Sequence, residues 1–166
     1  MCLLRVLQVT AAHPQLATQE MPLRTRALAL CALLLIAALY VVGVNSHGVL
    51  RHIVQTAPVW AAVVLGIERS AWSKWVALPC FVVWLSLMSL VWLFLLGWTH
   101  VISGTFPPIE IAMTLVVGAS AIIGILLALR LHTGLRASRA AVAFLGMLVL
   151  QIVALRISFL QGIAHD

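Results

Sequence analysis

The sequence predicts an all-α fold, a polytopic bundle of about five transmembrane helices with the amino terminus cytoplasmic and the carboxyl terminus outside. The first observation behind this is composition: of 166 residues, 64% are hydrophobic and 8% are charged. That is too little polar surface to cover a soluble globule, so lipid is the expected solvent for the exterior. The second is that the apolar residues gather into five stretches approaching the ~20 residues that cross a bilayer as a helix. The third is where the cations fall. Arg24 and Arg26, then Arg69 and Lys74, then Arg130, Arg136 and Arg139 lie on alternate connections, as the positive-inside rule requires of cytoplasmic ends.

The net charge of +6 and the isoelectric point near 10.7 invite a nucleic-acid reading. The cations sit at the ends of apolar segments and form no single hydrophilic face, so anionic lipid headgroups are the expected partner and nucleic acid is not. Cys31 and Cys80 fall within spans and Cys2 at the amino terminus, a spacing that matches neither a zinc site nor a disulfide framework. They read as small apolar fillers. Nine of the ten Lys and Arg residues are Arg, amid abundant Ala and Leu, which points to a bacterial chain and hence to the inner, plasma membrane.

Residues 1–24 read as a peripheral or disordered leader, because His13, Pro14, Gln15 and Gln19 interrupt the apolar Leu3, Leu4, Val6 and Leu7. The single transmembrane domain is expected to occupy 25–166. Met21, ahead of Arg24, Arg26 and an apolar run, has the layout of a start, and the first span, 27–44, reads as an uncleaved signal anchor. Asn45, Ser46, His47 and Gly48 then supply a tight polar turn. The second span, 49–67, is polar in its first half, where Arg51, Gln55 and Pro58 share one helical face beside His52 and Thr56. That face should point at the bundle or at water.

The third span, 75–100, is bracketed by Trp72 and Trp75 at one end and Trp98 at the other, rings that favour the headgroup zone. Pro79 deprives the Trp75 carbonyl of its helical donor and predicts a bend there. The fourth span, 108–129, opens with Pro108 and Glu110, a proline and an acid suited to a first helical turn. Ser120, Gly124 and Ala128 recur along it every four residues, a small-residue stripe for close helix packing. The fifth span, 140–160, carries Gln151 and Ser158 seven residues apart on one face.

Short outer connections place Asn45, His47, Arg51, His52, His100, Glu110, Arg156 and Gln161 at one depth, with Gln55 and Gln151 two turns or less below. The candidate outer-side polar or ligand site is therefore His47, Arg51, His52, Gln55, His100, Glu110, Gln151 and Arg156. Each residue also has a plainer role. Arg51 and Arg156 suit snorkelling, the histidines suit interfacial hydrogen bonding, and Glu110 suits a helix start. A metal set of His47, His52, His100 and Glu110 is conceivable, but His47 and His52 are five apart and miss the i, i+4 geometry that puts two ligands on one helix face.

No complete catalytic, nucleotide or metal signature is present, so no catalytic residue, metal site or cofactor is predicted. The expected function is that of an accessory or structural subunit acting through helix–helix packing with other membrane subunits or with copies of itself. The alternative is a membrane enzyme or a redox or ligand-binding module whose outer-side His, Arg and Glu residues hold a lipid-like substrate, a quinone or a metal. A proton-coupled carrier ranks third, because the middles of the spans lack ionisable groups.

Overall fold

The computed structural model describes residues 2–99 and 106–160, with side chains from Leu23 onward. The chain forms α1 (Cys2–Asn45), α2 (Val49–Ile67), α3 (Ser73–Leu95), α4 (Pro108–Arg130) and α5 (Ala137–Ser158), with no strand among the described residues. Each of the five contains a segment long and apolar enough to cross a membrane: Leu23–Asn45 within α1, and the other four helices entire. A multi-pass membrane protein is the class they suit. The backbone of α1 is helical from Cys2 without a break at 24–27, where the sequence divides leader from span.

Three helices end in the same way. At the end of α3 the Gly97 N–H donates to Phe94 and the Trp98 N–H to Leu93, with Gly97 at φ 75°, a Schellman termination. The third span therefore stops at Leu95, short of the expected residue 100, because glycine admits the left-handed conformation inside a run that stays apolar through Trp98. The α2 helix closes with the Arg69 N–H on Gly66 and the Ser70 N–H on Leu65, Arg69 taking φ 55°. The α1 helix closes with the Gly48 N–H on Gly43 and His47 at φ 57°.

The α4 helix ends differently. Leu131 is extended, and cations from two other helices take the terminal carbonyls: Arg24 Nη1 donates to Arg130 at 3.2 Å and Lys74 Nζ to Leu131 at 2.9 Å. Positive charge suits the negative end of a helix. Trp75 adds a bond from Nε1 to Thr133 Oγ1 at 2.9 Å and lies under the Lys74 ammonium. These residues mark the basic end of the bundle. Arg51 and Arg156 lie toward the opposite end.

The helices pack as a closed ring, α1–α2–α5–α3–α4 and back to α1, with α2 also against α3 and a lesser crossing of α1 and α3. Leu28, Ala32, Leu35, Val59, Ala77, Cys80, Phe81, Val117 and Ala121 make its core, joined by Trp84 and Met88. The small-residue stripe of α4 faces this core: Ser120, Gly124 and Ala128 are all buried. A Cβ added at Gly124 would lie 2.5 Å from the Phe81 ring. Gly124 thus packs α4 on α3 within one chain.

Candidate functional site: a polar seam between α2 and α5

The α2 helix turns Gln55, Thr56 and Pro58 into the bundle and leaves Ile53, Ala57, Trp60 and Val64 exposed. On α5, Gln151, Ala154 and Ser158 are the buried residues of the half away from the basic end. Because the ring order sets α5 beside α2, residues about a hundred positions apart meet. Gln55 Nε2 donates to Ser158 Oγ at 2.9 Å, and Ser158 Oγ donates to its own helix at Leu155, 2.7 Å. Gln151 Nε2 donates to the backbone carbonyl of Gln55 at 2.9 Å.

Above these residues, on the same face of α2, Arg51 is half-buried and its guanidinium lies 4.2 Å from the centroid of the Phe159 ring. That contact covers one face of the cation and leaves its in-plane donors for a second partner. Two polar atoms of the seam are buried with no hydrogen-bond partner: Arg51 Nε, a donor, and Gln151 Oε1, an acceptor. Gln151 as a whole is 0% exposed. Leaving a buried polar atom unmatched costs on the order of 1–3 kcal/mol, so such atoms call for an explanation.

The other candidate residues divide among different neighbours. His52 lies against α1, where a Cβ added at Gly43 would come 2.8 Å from its Cδ2, and its Nδ1 is likewise buried without a partner. The Thr56 hydroxyl, on the same side, donates to the His52 carbonyl at 2.8 Å and lies 3.3 Å from the Tyr40 hydroxyl, to which Trp60 Nε1 donates at 3.4 Å. Glu110 belongs to the α1–α4 pair, accepting from Asn45 Nδ2 at 3.3 Å. A cleft of about 360 Å³ with apolar walls, lined by Tyr40, Val41, Val44, Asn45 and Ile109, opens there.

His47 and Arg156 are exposed. The Nδ1 of His47 meets the Val44 carbonyl at 3.4 Å, and the left-handed backbone of His47 shows its place in the turn. His100 lies outside the described residues. Depth in the membrane had grouped these side chains, whereas the helix faces separate them: the seam unites Arg51, Gln55 and Gln151 from that group. Among the described residues no three His, Cys, Asp or Glu side chains come together as a metal-binding group.

Phe159 is the member of the seam that sequence reasoning passed over. Its position next to Ser158 was visible, but its meaning depends on which helix packs against α5. The chain matches no protein-family model, no curated protein and no solved structure.

Proposed function

We propose that this chain is a multi-pass membrane protein that holds the polar head of an amphiphilic ligand at the α2–α5 seam. The observation that carries this reading is the pair of buried, unpartnered atoms in one seam, the Arg51 donor and the Gln151 acceptor. Polar side chains at membrane depth are retained where they line a site or a path, and a half-buried arginine without an ion-pair partner among the described residues is such a case. Exposed apolar residues at this end of the bundle, Leu50 on α2, Ile157 on α5 and Leu160 just beyond it, supply apolar surface for a hydrocarbon tail.

The positive-inside rule directs the basic end to the cytoplasm and the seam to the outer half of a bacterial inner membrane. Native mass spectrometry of the full chain in mild detergent is the direct test. The expected result is a retained small amphiphile on the wild type that is lost when Arg51→Leu and Gln151→Leu are combined. Identical adducts on both proteins, or none on the wild type after lipid is added back, would end this reading.

A specific observation favours a second reading, that of an accessory subunit. Val142, Leu145, Val149 and Ile152 form an exposed i, i+3, i+7 row on α5, and nothing approaches the Cβ position of nearby Gly146 within 4 Å. A partner helix would dock there by close packing. Cysteine crosslinking from position 145 in intact membranes should then capture a discrete partner or a second copy, and a lipid-only environment would leave the chain monomeric.

A further inference from the structure

We infer that the head group held at the seam is the phosphate of an anionic phospholipid, bound in the plane of the Arg51 guanidinium. This rests on the reading of the seam as a ligand site and adds the chemistry of its ligand. Three observations converge on it.

The first is charge. The chain has four Asp and Glu residues, of which Glu68 and Glu110 lie in the part with described side chains. Glu68 follows α2 at the basic end, and Glu110 pairs with Asn45 between α1 and α4. Arg51 thus has no carboxylate partner among the described residues, and an anionic ligand would compensate its charge. A neutral quinone would not do so.

The second is geometry. With Phe159 4.2 Å below the guanidinium, an approaching group is directed to the edge, where paired N–H donors match two oxygens of a phosphate. Nε is buried and unpartnered, whereas the terminal nitrogens are not among the buried unpartnered atoms, so the Nη1–Nη2 edge is the one a phosphate would meet. Lysine could offer no such fork.

The third is depth. Arg51 lies two residues inside the start of α2, about 3 Å along the axis, so a span that begins with α2 would hold it at headgroup level. Gln55 and Gln151 lie deeper and are bonded across the seam, so the charged member is the one that meets the phosphate layer. Exposed Leu50, Ile157 and Leu160 at the same end of the bundle offer apolar surface to acyl chains.

The test titrates the purified full-length chain with phosphatidylglycerol, phosphatidylcholine, a short-chain quinone and inorganic phosphate, read by native mass spectrometry and by tryptophan fluorescence. Phosphatidylglycerol should bind at least about tenfold more tightly than phosphatidylcholine, the scale of one charge-assisted contact. Arg51→Gln should abolish that preference and Arg51→Lys should weaken it. Arg156→Gln, which removes an exposed arginine at the same end of the bundle, should leave it intact.

Equal binding of the two lipids, or equal loss in Arg51→Gln and Arg156→Gln, would overturn the inference. Inorganic phosphate binding as well as the lipid would overturn the assignment to a lipid head. A preference for quinone would defeat the phosphate assignment while sparing the seam, whereas no binding of any amphiphile would defeat both. If Arg51→Gln fails to fold, the wild-type ligand ranking together with Arg156→Gln still decides.

Discussion

The side-chain amide of Gln151 donates to the backbone carbonyl of Gln55 at 2.9 Å, tying the last helix of the bundle to the second. Hydrogen bonds between membrane helices contribute only about 0.6 kcal/mol on average, so this bond directs pairing more than it strengthens it. The oxygen of the same amide is buried and unmatched, which offsets part of the gain. Gln151→Leu, which keeps the volume and removes the unmatched acceptor, should change stability by less than about 1 kcal/mol. Gln151→Ala leaves a cavity and should cost about 2–3 kcal/mol. Unfolding titrations in detergent compare the two, and an equally large loss for Leu and Ala would show that the amide itself holds the seam.

The turns after α1 and α2 place His47 and Arg69 at φ 57° and 55°, a conformation that side chains with a Cβ occupy at a cost. His47→Gly and Arg69→Gly should each raise stability by about 0.5–1 kcal/mol, since glycine meets no such penalty. Gly97→Ala should lower it by a similar amount. At Gly97, φ is 75° and a new methyl would touch nothing within 4 Å, so the loss there would be conformational alone. Midpoints of thermal unfolding for the three variants test the sign of each effect. A stabilised Gly97→Ala would contradict the backbone assignment.

The number and approximate limits of the helices were legible in the sequence because an apolar run of bilayer length has few other uses. The overrun of the third span shows the limit of that signal: hydropathy continues through Leu95, Leu96 and Trp98, while the stop is set by the backbone freedom of Gly97 between them. Position along each helix followed from the sequence, since rise per residue converts residue number into height. Direction around the helix did not. Arg51 and His52 are neighbours in sequence, yet about 100° of helical rotation separates them, so one faces Phe159 of α5 and the other Gly43 of α1. Which helix stands on which side follows from the ring order, and that order joins α2 to α5 and α1 to α4 across long stretches of chain.

Gly124 and Gly118 set how closely α4 approaches α3. A Cβ would lie 2.5 Å from the Phe81 ring at the first position and 2.1 Å from the Trp92 ring at the second. The Trp92 indole also donates to Thr114 Oγ1 at 3.1 Å, so its ring has limited freedom to retreat. Gly124→Ala should destabilise the bundle by about 1–3 kcal/mol, the usual cost of overpacking. Pairing it with Phe81→Leu should recover part of that loss, because the smaller side chain relieves the contact. A double-mutant cycle on unfolding free energies measures the coupling. Strict additivity would mean that the two residues do not share the contact.

At the basic end, the Lys74 ammonium and the Arg24 guanidinium stand where α4 lacks the left-handed cap found on α1, α2 and α3. They supply the donors that a Schellman turn would otherwise provide, and they join three helices at one point. Lys74→Met should therefore cost about 0.3–1 kcal/mol, the range for a cation at a helix carboxyl end. Its effect should shrink as salt is raised, since exposed charge interactions are screened within roughly 10 Å at 0.1 M ionic strength. The same substitution also removes one of the cations that direct topology. Reporter fusions at positions 72 and 104 should label opposite sides of the membrane in the wild type and continue to do so in Lys74→Met, because Arg69 and the Arg130–Arg139 group remain. Labelling of both positions from one side in the wild type would overturn the five-span topology, and a salt-independent loss in Lys74→Met would assign the residue a packing role against Trp75 instead of a capping one.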